Sequence, residues 1–91
     1  MSFLGTPSND ELEELSQRIA EAWKPLGRRL KIEEGKLTCF DNENKVYSEK
    51  AFKMLLHWKE RDGSSATYSV LYDALCHKLV NKKLLAEEFC E

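Results

Sequence analysis

No stretch of this sequence stays apolar for the roughly 18 to 20 residues that a bilayer-crossing helix needs. The opening residues Met1 to Pro7 hold neither a basic leader nor a long apolar core. Export and membrane insertion are therefore not expected. The three cysteines, Cys39, Cys76 and Cys90, lie far apart and form no CxxC pair. Such spacing is poor material for a disulfide framework or a zinc site, and it points to a reducing, cytoplasmic compartment. The 4 glycines are scattered, so no GxGxxG or GxxxxGK loop is present to cradle a phosphate. Net charge is scarce as well: at -2 the chain has no general field to attract nucleic acid or an acidic membrane. Strand-like alternation and internal repeats are both missing, which leaves helix as the organising element.

What is present is enough for one domain with one modest core. The chain has 91 residues, and its 42% hydrophobic content sets it apart from disordered tails. The charges are segregated. Asp10, Glu11, Glu13, Glu14 and Glu21 crowd one stretch against Arg18, whereas Lys24, Arg28, Arg29, Lys31 and Lys36 dominate the next against Glu33 and Glu34. One acidic and one basic region follow.

Met1 to Asn9 contains Gly5, Thr6, Pro7, Ser8 and Asn9 without periodicity and reads as a flexible lead-in, residues 1–9, to a folded domain over 10–91. Asn9 or Asp10 caps the first helix, with acidic residues in its first turn. Leu12, Leu15, Ile19 and Trp23 recur at steps of three and four and define a buried face. Pro25 suits a first turn, so the chain breaks near Trp23 and restarts around Lys24. Leu26 and Leu30 face inward on this second helix, with Gly27 between them allowing close approach. Ile32, Leu37 and Phe40 anchor a short third helix, and Asp41 to Tyr47 reads as a loop. Ser48 opens a fourth helix in which Ala51, Phe52, Met54, Leu55, Leu56 and Trp58 cover more than one face, as a central element does. Arg61, Asp62 and Gly63 end it. Ser65 to Lys78 forms a fifth helix, with Ala66, Val70, Leu71, Ala74 and Leu75 at helical spacing. After a turn at Asn81, a sixth helix directs Leu84, Leu85 and Phe89 inward.

Two segments carry a family resemblance. Trp23, Leu26, Gly27 and Leu30 read W-x-x-L-G-x-x-L across the first break. LLHWKERDGSSATYSVLYDAL, residues 55–75, sets Leu55, Leu56, Trp58, Gly63, Ala66, Thr67, Leu71, Ala74 and Leu75 in order. With Leu85-Ala86-Glu87 closing, the chain resembles a death domain over about residues 10–90. The resemblance implies an all-α fold, the six-helix antiparallel Greek-key bundle of the death-fold superfamily. It implies a function too: homotypic docking onto other death domains, self-association included, within apoptotic, nuclear factor kappa B or innate immune signalling. Cofactors and small-molecule substrates have no place in such a module. The resemblance further implies helical head-to-tail assembly, helices two and three of one molecule meeting helices one and four of the next, with contacts around helix four and the helix five-to-six corner. Carried onto this chain, the basic side is Arg28, Arg29, Lys31 and Lys36, and the acidic side is Glu13, Glu14 and Glu21. Lys59, Arg61, Asp62, Lys82 and Lys83 are further candidates. Arg28 and Arg29 stand first, because guanidinium groups fork onto carboxylates.

Trp23, Trp58 and the leucines are core residues that build the platform rather than choose the partner. Competing readings are a sibling death-fold family, of the CARD or death effector type, and a helical nucleic-acid-binding domain using the same basic residues on phosphates. The acidic first helix and Glu33 and Glu34 argue against the latter. An enzyme is not expected. His57 and His77 are the only histidines, neither has an orienting carboxylate in a recognisable arrangement, and Cys76 and His77 point about 100° apart on a helix.

Overall fold

A computed structural model describes residues 5–90, and among them there are six α-helices and no strand. The helices are α1 (Asn9–Ile19), α2 (Trp23–Arg29), α3 (Glu34–Glu43), α4 (Tyr47–Asp62), α5 (Tyr68–Cys76) and α6 (Lys83–Cys90), with 3₁₀ turns at Ala20–Ala22 and Gly63–Ser65. The longest, α4, is central: α1, α2 and α3 all pack on it, and α5 and α6 pack on each other. The core runs through all six helices. Leu12, Ile19, Leu26, Leu37, Met54, Leu55, Trp58, Leu75 and Ala86 are fully buried within it.

The first helix begins one or two residues earlier than its acidic turn suggests. Ser8 is the cap: its hydroxyl accepts from the Glu11 N–H (3.1 Å), and the Glu11 carboxylate accepts from the Ser8 N–H (3.0 Å). This is a capping box, which satisfies two otherwise orphaned donors at once. The Tyr68 hydroxyl also donates to Glu11 Oε1 (2.6 Å), and the Tyr68 N–H donates to the Gly5 carbonyl (2.9 Å). Together with buried Pro7, these bonds hold Gly5 to Ser8 against the start of α5, so the flexible reading of the lead-in does not extend to them. Met1 to Leu4 lie outside the described residues.

The Glu11–Tyr68 bond has a pH signature. The hydrogen bond that the Tyr68 hydroxyl donates to the Glu11 carboxylate, then burial, pushes the phenol up to about 12 from 10.0. Partial burial works against the Glu11 charge but is outweighed by hydrogen bonds from Ser8 and Tyr68, so that carboxyl sits below its usual range. A raised phenol contributes stability that is whole below its unfolded value near 10 and is lost as pH climbs toward 12; a depressed carboxyl contributes stability above its unfolded value, lost on acidification. Tyr68→Phe should destabilise the domain by about 1–2 kcal/mol at neutral pH and flatten the alkaline fall of the urea midpoint. A variant whose alkaline limb matches that of the wild type would show that the bond is not what titrates.

α1 stops at Ala20, which takes φ 50° and ψ -127°, a conformation that favours glycine. The 3₁₀ turn then hands over to α2 at Trp23, with Pro25 in the first turn as expected. α2 ends in a Schellman motif: the Ile32 N–H reaches back to Gly27 O (3.0 Å), the Lys31 N–H reaches Arg28 O (3.1 Å), and Lys31 takes φ 66°. Gly27 is needed for packing. A Cβ there would lie 2.6 Å from Leu37 Cδ2 and 3.3 Å from Met54 Cγ, so α2 could not sit as close to α3 and α4.

Three expectations need correction. The third helix does not end near Phe40 but continues through Asp41 to Glu43, leaving only Asn44 to Val46 as loop. Asp41 is drawn into it by Lys24 (3.0 Å) and Lys50, which bridge α3 to α2 and α4. The fifth helix is shorter than Ser65 to Lys78, because Thr67 caps it by accepting from the Val70 N–H. Val70 is 41% exposed and Leu84 is 81% exposed, so neither faces inward. Leu84 and Leu85 are adjacent, about 100° apart around a helix, and α6 has one seam to fill. Leu85, Ala86, Phe89 and Cys90 fill it.

Candidate protein-interaction surface

On the acidic side, Glu13 and Glu14 project from the outer face of α1 and Glu21 from the 3₁₀ turn. All three are exposed, and none makes an ion pair with another described residue. Leu12, Leu15 and Ile19 occupy the opposite face of the helix. The amphipathic pattern therefore both anchors α1 and presents the carboxylates. Arg18 is different: it pairs with Glu88 of α6 (2.6 Å) and lies over the Phe89 ring (5.6 Å), tying α1 to α6.

The basic side sits at the end of α2 and the start of α3, and its members are not equivalent. Arg28 forks onto Glu34, Nε to Oε2 at 2.8 Å and Nη2 to Oε1 at 3.3 Å. That hydrogen bond raises the guanidinium and lowers the carboxyl pKa, so much of the local field of Arg28 is answered within the molecule. Arg29 is half-buried. Its Nη1 lies 3.3 Å from Nε2 of His77 at the end of α5, and its buried Nε has no partner. Lys31 and Lys36 are exposed without an ion pair among the described residues. These two are the free cations of the patch.

The further candidates divide by function. Arg61 donates to the Leu30 and Lys31 carbonyls (both 2.7 Å) and forks onto Asp62 (2.7 and 3.0 Å). It thereby satisfies the carbonyls of the turn that follows α2 from the end of α4, and Asp62 holds it in position. Arg61→Ala should cost about 1.5–3 kcal/mol, as a charged donor to partly buried carbonyls is removed; chemical denaturation measures it, and a loss under about 0.5 kcal/mol would show that water replaces the guanidinium. Lys59 spends its charge on Asn9 Oδ1 (3.0 Å), between α4 and α1. Lys82 is half-buried and Lys83 exposed where α6 begins, with the Lys82 N–H closing the turn onto Leu75 O (2.9 Å).

Sequence reasoning missed the apolar and imidazole neighbours of Arg29. A groove of about 370 Å³ between α2 and α5 is lined by Arg29, Lys31, Val70, Asp73, Ala74 and His77. A second hollow of about 190 Å³ shares Arg29 and is bordered by Pro25, Arg28 and Leu79. Val70 and Leu79, at 41% and 61% exposure, thus flank the half-buried arginine. The signal for them was weak, since a lone valine or leucine at a helical position reads as core.

His57 and His77 are apart in role: His57 leans on the Phe40 ring (5.7 Å), while His77 meets Arg29. No group of three or more His, Cys, Asp and Glu among the described residues could hold a metal ion, and no described helix is long and apolar enough to cross a membrane. The family model described as Death domain matches residues 9–82, from the first residue of α1 through the turn that precedes α6. With that match spanning most of its length, on a six-helix frame with unlike charged faces, the chain belongs to the death-domain family, a family of protein–protein interaction modules.

Proposed function

We propose that this domain docks head to tail onto other death domains, its own copies included, through the acidic face of α1 on one molecule and the basic corner between α2 and α3 on the next. The observation that carries the reading is the pairing of two unlike patches whose charges have no ion-pair partner among the described residues: Glu13 and Glu14 on one side, Lys31 and Lys36 on the other. Such a contact is heterologous and does not close on itself, so it propagates rather than stopping at a dimer. Electrostatic complementarity of this kind speeds encounter and sets register. Each contact is weak, and several together become strong by raising effective concentration. In the cell this makes the domain a cytoplasmic recruitment element of a receptor or adaptor, gathering signalling enzymes in an apoptotic, nuclear factor kappa B or innate immune response.

The test is charge reversal on each face alone and in combination, read by sedimentation velocity across protein and salt concentration. Association that Glu13→Lys/Glu14→Lys or Lys31→Glu/Lys36→Glu leaves at wild-type strength would remove the reading. Tight, steeply salt-dependent binding of DNA without self-association would instead favour nucleic acid as the partner.

A further inference from the structure

Resting on that docking reading, the geometry points to a carboxylate receptor in the groove between α2 and α5, in which Arg29 and His77 together bind an α1 glutamate, Glu13 or Glu14, of a second copy of this chain. The Leu79 N–H donates to His77 Nδ1 (3.1 Å). With Nδ1 engaged as an acceptor, the ring carries its proton on Nε2, since a neutral imidazole has one donor and one acceptor. Yet the group facing Nε2 at 3.3 Å is Nη1 of Arg29, which only donates. In that tautomer two donors meet, and the Arg29 Nε behind them is buried without a partner among the described residues.

The two facing donors are satisfied by an acceptor with two oxygens, while the buried Nε stays behind them. A carboxylate placed at the mouth of the groove takes one hydrogen bond from Arg29 and one from His77, a two-donor grip that depends on the planar, directed N–H of the guanidinium, which the ammonium of a lysine does not reproduce. Lys31 adds positive charge to the same groove, while Asp73 on its wall opposes an incoming anion. Val70 lines the groove and Leu79 borders the neighbouring hollow that shares Arg29; both are exposed and shield the arginine from water once it is covered. The occupant follows from charge. Glu13 and Glu14 are exposed on the outer face of α1 with no ion pair among the described residues, and Glu14 stands one turn from Arg18, leaving Glu13 the less neutralised of the two. His77 thereby becomes a binding residue of the basic face, and Arg29 rather than Arg28 is its centre.

Side-chain mimicry separates the two nitrogens of His77. His77→Asn keeps an acceptor for the Leu79 N–H and loses the outer donor; His77→Gln restores a donor at the outer position. Self-association measured by sedimentation velocity should weaken about tenfold in His77→Asn and about tenfold in Arg29→Lys. It should recover in His77→Gln and strengthen in Asp73→Asn. The decisive arm mixes two chains, one carrying Arg29→Lys/His77→Asn and the other Glu13→Gln/Glu14→Gln. Each alone fails to associate, and the mixture forms a one-to-one heterodimer that grows no further, because one intact contact remains. Melting temperatures of all variants confirm folding. If the wild type associates and His77→Asn, Arg29→Lys and the mixture behave identically to it, the receptor is wrong while head-to-tail docking stands. If the wild type stays monomeric up to about 1 mM, docking of this chain onto its own copies and the receptor fall together.

Discussion

Replacing Trp58 by alanine should lower the unfolding free energy by about 3–5 kcal/mol, most of what a small domain possesses, so that little folded protein remains at body temperature. Trp58 is completely buried in α4, the helix on which α1, α2 and α3 all rest. Removing its indole opens a cavity inside the helix on which three others pack, which is not closed by shifting any one of them alone. The indole carries its own penalty as well. Its Nε1–H is buried with no hydrogen-bond partner among the described residues, which costs about 1–3 kcal/mol against a satisfied donor. Trp58→Phe keeps much of the ring volume and removes that orphan donor, so the two terms offset and the net change should stay within about 1 kcal/mol. Urea titrations followed by far-ultraviolet circular dichroism separate the cases. Leu84→Ala is the control: with 81% of its surface already in water, it should shift the midpoint by no more than about 0.5 kcal/mol. An alanine at 58 that costs no more than the one at 84 would mean that α4 is not the keystone.

The contrast between Trp58 and Leu84 also marks where the sequence is readable. Leu12, Leu15, Ile19 and Trp23 lie three or four apart and all end up at 2% exposure or less, because burying one stripe of a helix leaves a periodic trace. The Ser8-x-x-Glu11 spacing was equally available and marks the true start of α1; the acidic run beside it drew the cap one or two residues too far along. The end of α3 was not legible in the same way. Asp41 and Asn42 are poor helix material, and Asp41 is held by Lys24 and Lys50 from two other helices, a tertiary bond that local spacing does not announce. Leu84 failed for the opposite reason, since an apolar residue at a plausible position need not meet a neighbour.

The interaction surface shows the same divide at the level of single charges. That α1 is acidic outside and that α2 and α3 meet in a basic corner could be read directly. Which of those charges are available could not. Arg28 is answered by Glu34 across the Schellman turn, Arg61 is spent on carbonyls 30 and 31 residues away, and Lys59 is tied to Asn9. Partners this distant in sequence come only from the fold. The available set contracts to Glu13, Glu14, Glu21, Lys31, Lys36 and Lys83, with Arg29 set apart by its buried nitrogen.

That contraction makes the docking prediction sharp. Glu13→Lys/Glu14→Lys on α1 should reduce self-association about a hundredfold or more, and Lys31→Glu/Lys36→Glu should do the same from the other face. Unit charges about 4 Å apart near a protein surface interact by about 4 kcal/mol, and measured couplings between close interfacial charges run from about 1.5 to 7 kcal/mol. Turning two attractions into repulsions therefore removes at least about 3 kcal/mol, or two powers of ten in the dissociation constant. Neither double variant should melt much earlier than the wild type, because exposed side chains without an ion pair at home contribute little to folding. Mixed together, the two variants should associate again, since each offers the complement of the other, and a single chain bearing all four reversals should regain the ability to bind itself. Salt should weaken the wild type and the rescued pairs alike, with screening lengths near 10 Å at about 0.1 M. Rescue is the part that only direct opposition of the two faces explains: a general change in net charge moves the two double variants in opposite directions, whereas head-to-tail contact disables both and repairs both by the same exchange of sign.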